Sequence, residues 1–261
     1  MWLFLTGCKG VEPAPTELDG LLHWMWQRYD ETDDEAMAEA LVNLDAAIDG
    51  ASVDEPRDGT IARMTAEEAA LVGVTDRDPQ DAIGLYLVNA FPCEWDDLTR
   101  VLSYPQQEEL YLDVYDTYAR TFDAGSARDP WLAGDQLRID YDIDYSATVL
   151  GASYTVAARG ALRTIPELDD EASPFGAFLV QRSYMPTPAV YAEETDKSLD
   201  QDYQLEVYWE HGGQIVHAYG LWRQANYGTG FDSESESAQR LLLNELADWD
   251  TTTSESCATA P

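Results

Sequence analysis

The sequence predicts an α+β protein, with helices first, then an antiparallel sheet of about five or six strands, then one closing helix. Three observations carry this. Apolar residues recur at helical spacing from Glu17 to Asp49. From Gln136 onward the period changes to strict alternation, the mark of half-buried strands. A single helical pattern returns at Ser235 to Trp249. Helices and strands kept apart along the chain argue α+β rather than alternating α/β. A β-barrel or sandwich with packed helices is the alternative arrangement of the same elements.

The elements follow in order. Thr16 and Asp19 are placed to cap a first helix, with Leu18, Leu21, Leu22, Met25 and Trp26 on one face. A second run puts Met37, Ala40, Leu41, Leu44 and Ile48 on a face, and Gly50 closes it. Residues 50–64 read as a loop with an Asp58-Gly59 turn. Thr65-Ala66-Glu67-Glu68 is a capping box ahead of a short helix, Ala66 to Val72. Gln80 to Ala90 fits a helix or a buried strand equally. Glu94 to Ser103 reads as a helix. Gln106 to Phe122 reads as a stronger one, with Leu110, Val114, Tyr118 and Phe122 at a spacing of four.

Gln136 to Tyr145 alternates as a strand, and Ala152 to Ala158 is a second, extendable through residue 165. Phe175 to Tyr184 is a third, and Val190 to Glu194 resumes it after Met185-Pro186-Thr187-Pro188. Asp202 to Trp209 and Gln214 to Arg223 form a hairpin through Glu210-His211-Gly212-Gly213. The last helix shows Leu242, Leu246 and Trp249 on one face, and Thr251 to Pro261 reads as a disordered tail. The expected organisation is therefore a signal-like segment 1–7, an anchor and tether 8–17, one domain 18–250 and a tail 251–261. This element order, over roughly residues 80–250, resembles that of START-like helix-grip domains, which hold apolar ligands between sheet and helix. The resemblance implies such a pocket here but supplies no motif.

Composition bounds the function. Fifty acidic residues stand against 15 basic ones, a formal net charge of −35. That field repels nucleic acid and anionic head groups, so no nucleic-acid partner is expected. It suits saline surroundings, where screening relieves self-repulsion. An apolar content of 45% permits a real core.

The first nine residues, Met1-Trp2-Leu3-Phe4-Leu5-Thr6-Gly7-Cys8-Lys9, form an apolar run ending in a cysteine. Leu5-Thr6-Gly7-Cys8 resembles the lipobox of bacterial lipoproteins. The resemblance implies cleavage before Cys8, acylation of its thiol, and a domain held on the membrane of the cell envelope. Lys9 to Thr16, rich in proline, suits the tether. Seven residues without a basic side chain precede Cys8, shorter than a full signal of roughly 15–30 residues. The lipoprotein reading thus implies a start upstream of Met1; the alternative is a buried N-terminal strand. With Cys8 lipidated, Cys93 and Cys257 remain as a candidate disulfide in an oxidising envelope.

Signatures of catalysis and cofactor binding are sparse. Asp140, Asp142 and Asp144 share a strand face, but an EF-hand-like loop would want Gly at Tyr145 and Glu at Gly151, so a solvated edge is expected. His23, His211 and His217 do not make a zinc motif. Cys93 has no identifiable partner base. No nucleophile elbow, phosphate loop or dinucleotide fingerprint occurs. No cofactor, metal or catalytic residue is therefore assigned. Tyr141, Tyr145, Tyr154, Tyr184, Tyr191, Tyr203, Tyr208, Trp209, Tyr219 and Trp222 enrich the strand region; they suit sheet packing or the walls of an apolar pocket. The resulting expectation is an envelope lipoprotein whose domain binds an apolar ligand or a protein partner. A carboxylate-dependent hydrolase and a structural or assembly lipoprotein are the alternatives.

Overall fold

A computed structural model of the chain describes residues 13–259, apart from 32, 51–52, 54, 113, 169–173, 194 and 229–230. Leu5 to Cys8, and with them the lipidation candidate, lie outside the described residues.

Two helices, α1 (Leu18–Arg28) and α2 (Asp34–Ile48), open the fold. They are followed by β1 (Arg57–Ile61), α3 (Ala66–Leu71), β2 (Ile83–Phe91), α4 (Trp95–Leu102), β3 (Thr117–Phe122) and α5 (Arg128–Leu132). The remainder is β4 (Arg138–Val149), β5 (Ala152–Ile165), β6 (Phe178–Tyr184), β7 (Val190–Tyr191), β8 (Ser198–His211), β9 (Gln214–Asn226) and α6 (Glu236–Cys257). The architecture is α+β. Its sheet is open and antiparallel, in the order β1-β2-β9-β8-β6-β5-β4-β3, with β7 paired to β5. Nine strands among the described residues exceed the five or six expected.

One face of the sheet is dry. Strands β8 and β9 turn Leu205, Val207, Trp209, Val216, Ala218 and Trp222 toward α1 and α2, which answer with Leu21, Leu22, Met25, Trp26 and Leu41. Trp26 stands edge-on to Tyr203 and Trp222, with centroids 6.0 and 5.9 Å away. Three arginines from adjacent strands clamp the turn between the helices. Arg182 and Arg138 donate to the two Asp30 oxygens at 2.6 and 2.7 Å. Arg163 donates to the Tyr29 carbonyl at 2.7 Å and to Asp34 at 2.6 Å. The Tyr29 ring is packed against two of these guanidinium groups, at 4.3 and 5.1 Å, so the clamp is partly cation–π.

The other face carries α4, α5 and α6. Helix α6 lies along β2 and β9 through Leu242, Leu243, Leu246 and Ala247. With α4 and α5 it covers the Ile139, Leu162 and Leu179 end of β4 to β6 and leaves a gap over the stretch around Tyr145, Val156 and Ser183. Beneath that gap, between Tyr154 and Leu162, β5 turns the small or slim Val156, Ala158 and Gly160 inward, opposite Tyr145, Ile143 and Tyr141 of β4. A Cβ on Gly160 would come 2.3 Å from the Tyr141 ring, so glycine is what lets that ring lie across the strand. Small residues under a displaced helix make a hollow.

Several expectations are corrected. Residues 57–61 form a strand, not a loop, and Gly59 is paired with Tyr86 rather than turned. Gln106 to Phe122 is not a helix: a 3-10 turn at Gln107–Glu109 leads into β3. The spacing of four coincided with the period of two, and Val114 is exposed. The ambiguous stretch 80–90 is the strand β2. The tail expected to be disordered from Thr251 continues α6 to Cys257, because Thr253, Ser256 and Cys257 extend its buried side. Residues 13–17 of the expected tether lie against α2, whose Asn43 donates to the Pro15 carbonyl at 2.9 Å. The hairpin through Gly212-Gly213 is present, with both glycines at positive φ.

The Sγ atoms of Cys93 and Cys257 are bonded at 2.00 Å, tying the end of α6 to the residues after β2 across 164 positions. Closing so long a loop restricts the unfolded chain. Reduction, or Cys257→Ser, is expected to lower stability by about 2–5 kcal/mol in urea unfolding. An unfolding midpoint that ignores reductant would show that the bridge contributes nothing.

Candidate functional site

The hollow between the sheet and α6 is a cavity of about 640 Å³. Its walls are largely aromatic and aliphatic. Tyr118, Ile143, Tyr145, Tyr154 and Val156 come from the sheet, with Tyr115 just ahead of β3; Leu242, Leu246 and Trp249 come from α6. Val114 and Leu150 also line it and are exposed, which gives the cavity an apolar rim. Tyr111 stacks on Trp249 at 3.9 Å and shares a hydrogen bond with Thr253 at 2.7 Å, fastening the segment before β3 to α6.

A polar belt crosses the cavity on successive strands. Alternation puts Gln181 of β6 opposite Glu206 of β8, and Tyr208 of β8 opposite His217 of β9. His217 Nδ1 lies 2.8 Å from Asp250 Oδ1 of α6, and its Nε2 lies 3.5 Å from Glu206 Oε2. The second distance is within ion-pair range but too poorly formed for a hydrogen bond, and Nε2 has no such partner. Tyr208 stacks flat on the imidazole at 4.0 Å and donates to Glu206, which also accepts from Gln181 at 2.6 Å.

All three charged groups are almost wholly buried. Burial opposes a charge on His217, but the carboxylates of Asp250 and Glu206 outweigh it and push the ring up to about 9. At neutral pH the ring is an imidazolium: a donor and a charge, not a base. Toward α6's start, Arg223 donates to Asp202, which also accepts from Gln204 at 2.5 Å. Burial pushes Glu245 at the cavity edge upward, while Arg223 opposes the shift and Asp248 adds to it. Buried polar atoms without partners gather here. Arg120 Nε, Tyr141 OH, Gln181 Oε1, His217 Nε2 and Asp250 Oδ2 are among those found in the described residues. Such atoms are costly where nothing meets them.

The residues singled out from sequence are scattered. Asp140 and Asp142 are engaged by Arg138 and Arg159. His211 bonds Asp45 at 2.6 Å beneath α2, and His23 bonds Glu68 at 2.7 Å near α3, so neither joins His217. Among the described residues no group of three His, Cys, Asp or Glu side chains could hold a metal, and no helix is long and apolar enough to cross a membrane. Tyr145, Tyr154, Tyr184 and Tyr219 do line the cavity. Tyr203, Trp209 and Trp222 belong to the opposite face. Sequence reasoning missed Arg120, Gln181, Glu206 and Asp250. The signal for Asp250 is the spacing Leu246, Asp250, Thr253, Cys257, which continues the buried stripe of α6 with polar residues.

No protein-family model and no curated protein matches this sequence. Among solved structures, TTHA0849 from Thermus thermophilus is similar at 13% identity and a TM-score of 0.42, covering 67% of this chain and 97% of that one. A STAR-related lipid transfer protein from Xanthomonas axonopodis is similar at 8% identity and a TM-score of 0.34, covering 54% of this chain and 68% of that one. Protein Ms6760 from Mycobacterium smegmatis is similar at 12% identity and a TM-score of 0.28, covering 67% and 87%. These are likenesses of fold alone.

The raised value for His217 fixes the sign of a pH effect. The stabilisation is fully present below about 6.5, the ring's ordinary value, and is lost as pH rises through about 9. Stability to urea is expected to fall across that window by on the order of a few kcal/mol. Asp250→Asn should flatten the fall while lowering stability at pH 6. An identical pH slope in the variant would dismiss the pairing.

Proposed function

We propose that this domain binds an amphipathic small molecule, enclosing its apolar body between the sheet and α6 and meeting its polar end at the buried belt. The observation that carries this reading is the cavity of about 640 Å³, within the roughly 300–1,000 Å³ common for ligand sites. Its aromatic and aliphatic walls together with a belt of polar and charged groups suit a ligand with an apolar body and a polar end. The unmatched atoms on cavity-lining residues, Arg120 Nε, Gln181 Oε1 and His217 Nε2, support the same reading, because a ligand's polar end could meet them. The exposed Val114 and Leu150 at the rim suit an apolar body entering past them.

Placement in the cell belongs to the same proposal. The Leu5-Thr6-Gly7-Cys8 run supports an acylated Cys8 that holds the domain on an envelope membrane. The pairing of the other two cysteines with each other supports an oxidising compartment.

Two measurements test these statements. Native mass spectrometry and solvent extraction of purified protein should find a bound amphiphile. Ala158→Trp, which fills the hollow from β5, should lower affinity for an added amphiphile at least tenfold while thermal unfolding stays cooperative. Equal affinity in the filled variant would remove the cavity from the function. Separately, the natively expressed protein, with whatever sequence precedes Met1, should fractionate with membranes and show an intact mass beginning at a lipidated Cys8; soluble, unacylated protein retaining Met1 to Gly7 would overturn the anchor.

A further inference from the structure

The charge of the ligand's polar end can be inferred on top of the ligand-binding reading, on which it rests. Most arginines of this chain stand against a carboxylate, as Arg223 does with Asp202 and Arg159 with Asp123 and Asp142. Fifty acidic residues make such partners easy to find. Arg120 of β3 lines the cavity, yet among the described residues no carboxylate stands within ion-pair distance of it.

Its guanidinium is fixed by neutral groups. One terminal nitrogen donates to the Leu102 carbonyl at the end of α4, and the other donates to the Tyr118 hydroxyl at 3.1 Å. Its plane lies over the Tyr141 ring, 4.2 Å from the centroid. The Nε–H is buried and meets no acceptor. The other cation of the belt, His217, is already compensated by Asp250 and Glu206. A guanidinium offers five N–H donors in a planar fork suited to a carboxylate, and here two are used.

We propose that the ligand is an acid: a carboxylate-terminated amphiphile whose head group pairs with Arg120 and whose body lies among Tyr115, Tyr118, Tyr145 and Trp249. The guanidinium is held in place before the ligand arrives, so little ordering is lost on binding. The pair forms away from bulk water, where salt weakens it little. The surface charge acts the other way. A net charge of −35 repels an approaching anion, so association should quicken as salt is added, while a neutral ligand's rate should not change.

The test compares three probes of one chain length, each below its micelle concentration, by calorimetry on the full domain. These are dodecanoate, dodecan-1-ol and dodecyltrimethylammonium. A charge-assisted hydrogen bond predicts that dodecanoate binds roughly ten- to hundredfold more tightly than the alcohol, and the cation more weakly than either. Arg120→Met should bring dodecanoate down to the level of the alcohol, and Arg120→Lys should retain part of the preference. Equal binding of acid and alcohol by the unaltered protein would overturn the assignment whether or not the variants fold. So would an undiminished preference in Arg120→Met. Binding of none of the three probes would instead overturn the ligand-binding reading beneath it.

Discussion

The burial of Asp250 is the constraint from which the inner half of this structure follows. A carboxylate brought out of water is costly unless a charge or several donors receive it. Here the receiver is His217, 2.8 Å away on β9, charged because two carboxylates surround it. The pair therefore sets where α6 can lie. Its leucines hold it along β2 and β9, Asp250 ties it to β9, and the Cys93–Cys257 bridge fixes its end. Near Cys257 the end of α6 joins α4 and α5 over Ile139, Leu162 and Leu179, while farther along β4 and β5, around Tyr145 and Val156, the cavity lies between sheet and helix.

The two faces solve opposite problems. Under α1 and α2 the sheet is packed with Trp26, Trp209 and Trp222, whose indole nitrogens each find an acceptor at about 3 Å. Charge on that face is paired: arginine meets aspartate at the helix turn, His23 meets Glu68, and His211 meets Asp45. Under α6 the sheet buries Asp202, Glu206 and His217, and its unmatched atoms include those of charged side chains, whereas among the described residues those on the helix face are Trp24 Nε1 and Tyr29 OH. A face that served only stability would be filled with apolar side chains of similar volume, since buried ion pairs seldom exceed hydrophobic packing in strength. The asymmetry within one sheet is what separates scaffold from site.

Local signals were legible in the sequence, and assembled ones were not. The capping box at Thr65 and Glu68 forms as written, with both reciprocal bonds, because it needs only four neighbouring residues. The Gly212-Gly213 hairpin needs only a turn that tolerates positive φ. Gln106 to Phe122 failed because a spacing of four is also twice two, and nothing local distinguishes Tyr118 and Phe122 on a helix from the same pair on a strand. Asp58-Gly59 failed because the ring of Tyr86, 27 positions away, lies over the glycine in the paired strand. The polar belt is the extreme case. Arg120, Gln181, Glu206, His217 and Asp250 sit on five different elements, and each alone looks like one more polar residue in an acidic chain.

The net charge, read first as a habitat signal, takes a second meaning beside this site. In a chain with so many carboxylates, an arginine left without one is a matter of placement. Arg120 escapes because its neighbours on the inner face are Tyr118, Ile143 and Tyr141, and alternation sends Asp140, Asp142 and Asp144 to the other side of β4. The period of two thus does more than build the sheet. It sorts β4 into an outer row of aspartates, two of them engaged by Arg138 and Arg159, and an inner row of aromatic and aliphatic groups. That sorting keeps one guanidinium unneutralised behind a strongly negative surface. An anion that reaches the cavity finds there a cation that the protein's own acids do not contest.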